Sequence, residues 1–232
     1  MTDESIIVVF DNNALRADLV WGWGFSCVVR FGGKTILFDT GSDGAGLLYN
    51  MGKLDISPEK IEAVILSHAH GDHTNGLGAF LKRNSDVTVY LPQSFPKRYK
   101  EGVRNSGAAV EEICQAKELY SGVFTTGEMT GIIEEQAMVL KTGRGSVVIT
   151  GCAHPGIVNI LRTALELTGQ SISLAVGGFH FPKRSVLDSF RELGVQKVAP
   201  CHCSGDEARG FFKEAYGDEY IDVGAGEEIV IE

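Results

Sequence analysis

Four side chains able to bind a metal crowd into the run SHAHGDHTNGL, Ser67 to Leu77. His68, His70, Asp72 and His73 bring three imidazoles and a carboxylate together within six residues. Neutral imidazole and carboxylate form a borderline-to-hard donor set that suits Zn²⁺, with Fe or Mn as alternatives. A single histidine is usually a packing or surface residue. Ordinary packing gives no reason to place three of the chain's six histidines here. The other three stand in similar settings: His154 in GCAHPG, His180 in GGFHF and His202 in PCHC, each just past a short apolar run. The ends of buried strands are where α/β enzymes assemble their sites.

Those histidines need strands to carry them, and the apolar runs supply candidates. Ile6–Phe10, Ser26–Phe31, Thr35–Phe38, Ala63–Leu66 and Val87–Leu91 read as strands, rich in Val and Ile and bounded by Gly, Asp or Pro. Val147–Thr150, Ile172–Val176, Lys197–Pro200 and Glu228–Ile231 read likewise. Gly32-Gly33 between two of these runs predicts a hairpin turn. Helical spacing marks Gly156–Thr168, opened by Pro155, then Val186–Leu193 with a Ser185/Asp188 capping box, and Ala208–Tyr216. Strands followed by strands mixed with helices predict α/β layers. Ser94–Gly131 is the least regular stretch, a variable region at 94–131 holding loops and a helix. With no internal repeat or linker, 1–232 reads as a single domain.

The spaced motifs FDNN, WGWGFS, LFDTG, SHAHGDHTNGL, GCAHPGIVN, GGFH and PCHCSG, running from Phe10 to Gly205, resemble the metallo-β-lactamase superfamily. They are most similar to its branch of archaeal dihydropteroate synthase-like enzymes of methanopterin synthesis. The resemblance implies a four-layer αββα sandwich and two divalent metal ions, zinc first, Fe or Mn otherwise. It implies that His68, His70 and His154 hold one ion and that Asp72, His73 and His202 hold the other. Asp39 of LFDTG matches an aspartate that supports the site from behind the ligands. The family's bridging aspartate has no obvious counterpart. GGFH stands in that region, leaving His180 as a substrate or phosphate contact, a general acid, a ligand or a structural residue. Asp72 and His180 are the expected catalytic groups. Trp21 and Trp23 are either aromatics at the edge of the core or a rim able to stack on a flat substrate.

The activity so implied is metal-dependent hydrolysis of a small phosphorylated or ester substrate. Another possibility is a transferase joining a pterin-methyl diphosphate to an aminobenzene ribose phosphate. A nuclease or phosphodiesterase, and a non-catalytic metal-binding module, are the alternatives. The 21 basic and 30 acidic residues leave a net charge of −9, which argues against a nucleic-acid partner. No run approaches the ~18 apolar residues of a membrane span, and the N-terminus lacks a signal-peptide pattern. A small-molecule partner, no membrane, and an oligomeric state left open are therefore expected. Five cysteines, an odd number scattered along the chain, argue for a reducing compartment, the cytoplasm. If the chain stays extended through Cys201-His202-Cys203, both thiols face away from the imidazole and serve packing. Cys152 could share the face of His154. Walker, dinucleotide and GxSxG signatures are missing.

Overall fold

The computed structural model describes residues 4–231. They fall into two compact units, 4–114 with Gly224–Ile231, and Gln115–Val223. Each unit has its own sheet and core.

In the first unit, β1 (Ser5–Phe10) and β3 (Lys34–Phe38) each pair antiparallel with β2 (Ser26–Phe31) between them. β1 is buried along its whole length, which explains a continuous apolar run in place of an alternating one. Gly32 and Gly33 take φ of 57° and 75° between the paired Phe31 and Lys34. That left-handed pair is the type I′ geometry that a two-residue hairpin needs. β4 (Ala63–Ile65), β5 (Thr88–Pro92) and β6 (Ala109–Ile113) extend the sheet in parallel from β3. Helices α1 (Gly44–Lys53), α2 (Gly71–Thr74), α3 (Leu77–Leu81) and α4 (Lys97–Asn105) connect the strands. Leu47 and Met51 of α1 and Phe80 of α3 join Val9, Leu37, Val64 and Val89 in a continuous core. Asp43 caps α1, accepting a bond from the Ala45 N–H at 2.9 Å.

The second unit begins with β7 (Gln115–Tyr120), β8 (Val123–Gly127) and β9 (Met138–Lys141), an antiparallel series reaching β10 (Ser146–Thr150). α5 (Ile157–Thr168), β11 (Ile172–Gly178), α6 (Val186–Glu192), β12 (Lys197–Cys201) and α7 (Asp206–Tyr216) follow. β10, β11 and β12 are parallel, so their C-terminal ends lie along one edge, with Thr150 opposite Gly177 and Gly178 opposite Cys201. Ile157, Ile160, Leu161 and Ala164 of α5 pack with Phe179, Phe190 and Phe212. The last strand, β13 (Glu228–Val230), pairs antiparallel with β1 in the sheet of the first unit.

Several local expectations need correction. Pro155 does not open α5: Gly156, at φ 93°, is the N-cap, and Pro155 lies outside the helix. Ser185 is itself helical and makes no capping bond, so the box at α6 does not form. The region 94–131 contains α4, β6, β7 and β8. β6 and β7 are largely exposed and carry Glu, Gln and Lys, so they lack the apolar period that announces a strand. α1 and β9 were not anticipated. Among the described residues, no helix is long and apolar enough to cross a membrane.

Candidate metal centre

In the first unit, parallel β3 and β4 end side by side, Phe38 opposite Ile65. Asp39 leaves the first strand in a left-handed conformation, φ 53°, and is fully buried. Its Oδ1 accepts the Ser67 N–H at 2.7 Å, and its Oδ2 accepts the Ser67 hydroxyl at 2.7 Å. The same Oδ2 lies 2.7 Å from Nδ1 of His73, whose side chain is also fully buried.

A carboxylate only accepts, so the contact with Asp39 calls for a proton on His73 Nδ1 and turns Nε2 away from Asp39. The Ser67 hydroxyl proton is spent on Asp39, so its oxygen accepts from His68 Nδ1 at 2.9 Å. His68 Nε2, on the far side of the ring, lies 3.1 Å from Nδ1 of His70. Two nitrogens at that spacing match neighbouring ligands of one ion, which at ~2.1 Å bonds sit about 3–3.4 Å apart. Asp72 Oδ2 stands 3.6 Å from His73 Nε2. His70 is exposed and Asp72 half-buried, so the group opens to solvent on one side.

The Phe25 N–H donates to the Asp72 carbonyl at 3.2 Å, and Gly24 packs so closely there that a Cβ would sit 2.5 Å from that oxygen. The loop so anchored carries Trp21 and Trp23, 65% and 55% exposed.

In the second unit, His154, His180 and His202 leave the ends of β10, β11 and β12. Glu135, fully buried, is the residue that sequence reasoning missed. Its Oε1 accepts the N–H groups of Cys152 and Ala153 at 2.8 and 2.9 Å. Its Oε2 accepts the His154 N–H at 2.9 Å and the His154 Nδ1–H at 2.7 Å. His154 thereby presents Nε2, as His73 does. The one hint of this role was a pair of acids, Glu134-Glu135, one residue ahead of the apolar run Ala137–Leu140.

His180 is exposed, φ 55°, and its ring stands against that of His154, centroids 4.6 Å apart. Both line a cleft of about 380 Å³ shared with Phe179, Lys183 and Asn159. His202, buried and at φ 47°, starts a 3-10 turn, His202–Ser204. The chain is thus not extended through Cys203, and its thiol does not point away from the imidazole. Cys152, His202 and Cys203 place their ligand atoms within 4.8 Å of one another.

Imidazoles oriented by buried carboxylates, with the half-buried Asp72 carboxylate beside those of the first unit, are donors that could hold a divalent metal. The residues that would hold it are His68, His70, Asp72 and His73 in the first unit, and His154 and His202 in the second.

Residues 21–125 match the family model of the metallo-beta-lactamase superfamily, so the resemblance is shown in sequence as well as in fold. The mixed α/β class with two sheets is the metallo-β-lactamase fold of its structural neighbours. Among solved structures the chain is similar to Tm1679, a metal-dependent hydrolase of the beta-lactamase superfamily: TM-score 0.84, 28% identity, 98% of this chain and 99% of that one. Among curated proteins it is 26% identical over 247 residues to the 7,8-dihydropterin-6-methyl-4-(beta-D-ribofuranosyl)-aminobenzene-5'-phosphate synthase of Methanocaldococcus jannaschii, covering 84% of each. A ribonuclease Z of Pyrococcus horikoshii is 36% identical, over 88 residues that make up 35% of this chain and 27% of that enzyme.

Proposed function

We propose that the chain is a metal-dependent enzyme that uses two divalent ions, zinc first, on a small phosphorylated or ester substrate. In this reading His68, His70 and His154 hold one ion, and Asp72, His73 and His202 hold the other. The observation that carries it is the common device at His73 and His154. A buried carboxylate lies 2.7 Å from Nδ1 of each ring and fixes its orientation, which is how proteins orient imidazole ligands.

When bound, the ions would supply Lewis-acid polarisation of the scissile group and activation of water. The chain's own side chains do the rest. Asp72, half-exposed at 3.6 Å from His73 Nε2, orients the attacking group and accepts its proton. His180 stands on the cleft beside His154 and gives a proton to the leaving oxygen. Lys183 on the same cleft offers an ammonium to a phosphate.

A transferase reading has its own support in the likeness to the pterin-linked synthase over 84% of each chain. There a pterin-methyl diphosphate would join an aminobenzene ribose phosphate and release diphosphate, and the exposed Trp21 and Trp23 would suit a flat pterin. A nuclease role is the weaker reading, because the net charge of −9 opposes a polyanion. The ribonuclease Z likeness is local. We propose no membrane partner and a cytoplasmic setting, in keeping with five free cysteines.

The experiment is metal analysis of protein purified without added metal, together with turnover on phosphomonoesters, phosphodiesters, esters, thioesters and the pterin diphosphate pair. Near two equivalents are expected. His70→Ala and His202→Ala should each lose metal and activity while remaining folded. His180→Ala should keep both ions and lose at least about tenfold in turnover. A His70→Ala or His202→Ala variant with full metal content would overturn that ligand assignment. A loaded protein inert on every substrate would favour a non-catalytic module.

A further inference from the structure

A groove of about 590 Å³ is lined by α3 and α4 of the first unit, with Thr74 and Asn75 beside it. That volume lies within the range of small-molecule sites. On α4, Tyr99, Gly102, Val103 and Ser106 line it, and their spacing of three and four residues puts them on one helix face. Leu77, Gly78 and Leu81 of α3 form the other wall. Leu77, Leu81 and Val103 belong to the core as well, so the floor of the groove is apolar. The Tyr99 ring is fixed in place: it packs on Phe95, centroids 5.3 Å apart, and its hydroxyl donates to the Thr74 carbonyl at 3.3 Å.

Two glycines keep the groove open. Gly78 in α3 and Gly102 in α4 both line it, and a Cβ at either would meet nothing within 4 Å. A glycine inside a helix is less stable than an alanine, and no close neighbour demands one at these positions. A larger side chain at either would occupy the groove without straining the fold. The α4 wall, from Pro96 to Ser106, runs about 15 Å, room for an extended alkyl chain.

Charge enters at one end. Lys97 pairs with Glu101 at 3.8 Å, and Lys100 and Arg104 share Glu112 at 2.7 and 3.0 Å. Arg98, exposed on the groove two residues past Pro96, has no ion pair among the described residues. No acidic side chain lines the groove among those residues either. A planar guanidinium can hold a carboxylate through two parallel N–H···O bonds.

We propose that this groove binds a medium-chain fatty acid as a free single molecule. Its carboxylate lies on Arg98 and its alkyl chain runs between α3 and α4 over Leu77, Leu81 and Val103. The site goes beyond the proposed function, in which none of these side chains is a metal ligand or a substrate contact.

The test is calorimetric titration of the full chain with octanoate, butanoate and 1-octanol, each below the concentration at which it self-associates. Saturable binding of one octanoate per chain is expected. Butanoate, four methylenes shorter, should bind at least about tenfold more weakly. Arg98→Gln should weaken octanoate about three- to fivefold and leave 1-octanol unchanged. Gly102→Leu fills the groove with a better helix former, so octanoate should bind at least about tenfold more weakly while Tm holds or rises. Gly78→Leu takes its place if that variant melts early.

Absence of saturable octanoate binding, or equal affinity for butanoate, would overturn the proposal. So would an octanoate affinity indifferent to Arg98→Gln and to the groove-filling leucine, because the carboxylate would then sit elsewhere, a metal ion included. Failure here leaves the proposed function standing. Octanoate binding that obeys both variants in a protein inert on every substrate would do the reverse.

Discussion

His73 and His154 illustrate how a ligand is made from a residue that is otherwise ambivalent. A neutral imidazole can present either nitrogen; Asp39 and Glu135 remove that choice by accepting from Nδ1 at 2.7 Å. Glu135 also accepts three backbone N–H groups, so it builds the loop as well as aiming the ring. In Glu135→Ala those donors would be left buried without an acceptor, at about 1–3 kcal/mol each. We expect a loss of about 3–5 kcal/mol in urea unfolding. Glu135→Gln, which keeps the shape but turns an amide donor toward a donor, should cost about 2 kcal/mol and weaken metal retention. Unchanged metal content in a folded Gln variant would show that the carboxylate does not govern His154. The histidines and Asp39 were legible from the sequence because their motifs are local and dense. Glu135 was not, because its meaning comes from a loop 17 to 19 residues away.

At the scale of elements, short turns at strand ends do the positioning, and they depend on close backbone packing. Gly76, between α2 and α3, comes so near the Thr40 carbonyl that a Cβ would stand 1.9 Å from its oxygen. Gly76→Ala should therefore cost about 3 kcal/mol or more and disturb the α2 turn that carries Asp72 and His73. Gly52, in α1, has open space where an added methyl group would stand. Gly52→Ala should stabilise by about 0.5–1 kcal/mol. Opposite signs in the two denaturation curves are the expected outcome; equal effects would contradict the packing argument. Buried strands such as β1 and β10 were readable because continuous apolar runs have few other uses. β7 escaped notice because an exposed strand of Gln, Lys and Glu carries no such period. The condition that the chain stay extended through Cys203 is not met, because a positive φ at His202, which no local pattern announces, turns the chain directly after Cys201.

Across the whole molecule, each unit holds ligand-type residues at the C-terminal ends of parallel strands, the location that α/β sheets favour for chemistry. An ion bound only by the folded chain adds stability by mass action, about 2.7 kcal/mol at a hundredfold excess over Kd. For a chain of this length, chelation should then lower Tm by roughly 5–10 °C, reversed by added zinc. A melting curve indifferent to both chelator and zinc would mean that the folded protein does not bind the metal tightly.

The pairing of β13 with β1 has a consequence for how the chain is made. β1 leaves the ribosome well before its outer partner, Glu228–Val230, which emerges only after the whole of the second unit. Throughout that interval a buried-type, apolar strand offers an unpaired edge, the template on which nascent chains associate. Premature termination before Glu228 should yield a product that a chaperone must hold and a protease must clear, even though every histidine and Asp39 would already be in place.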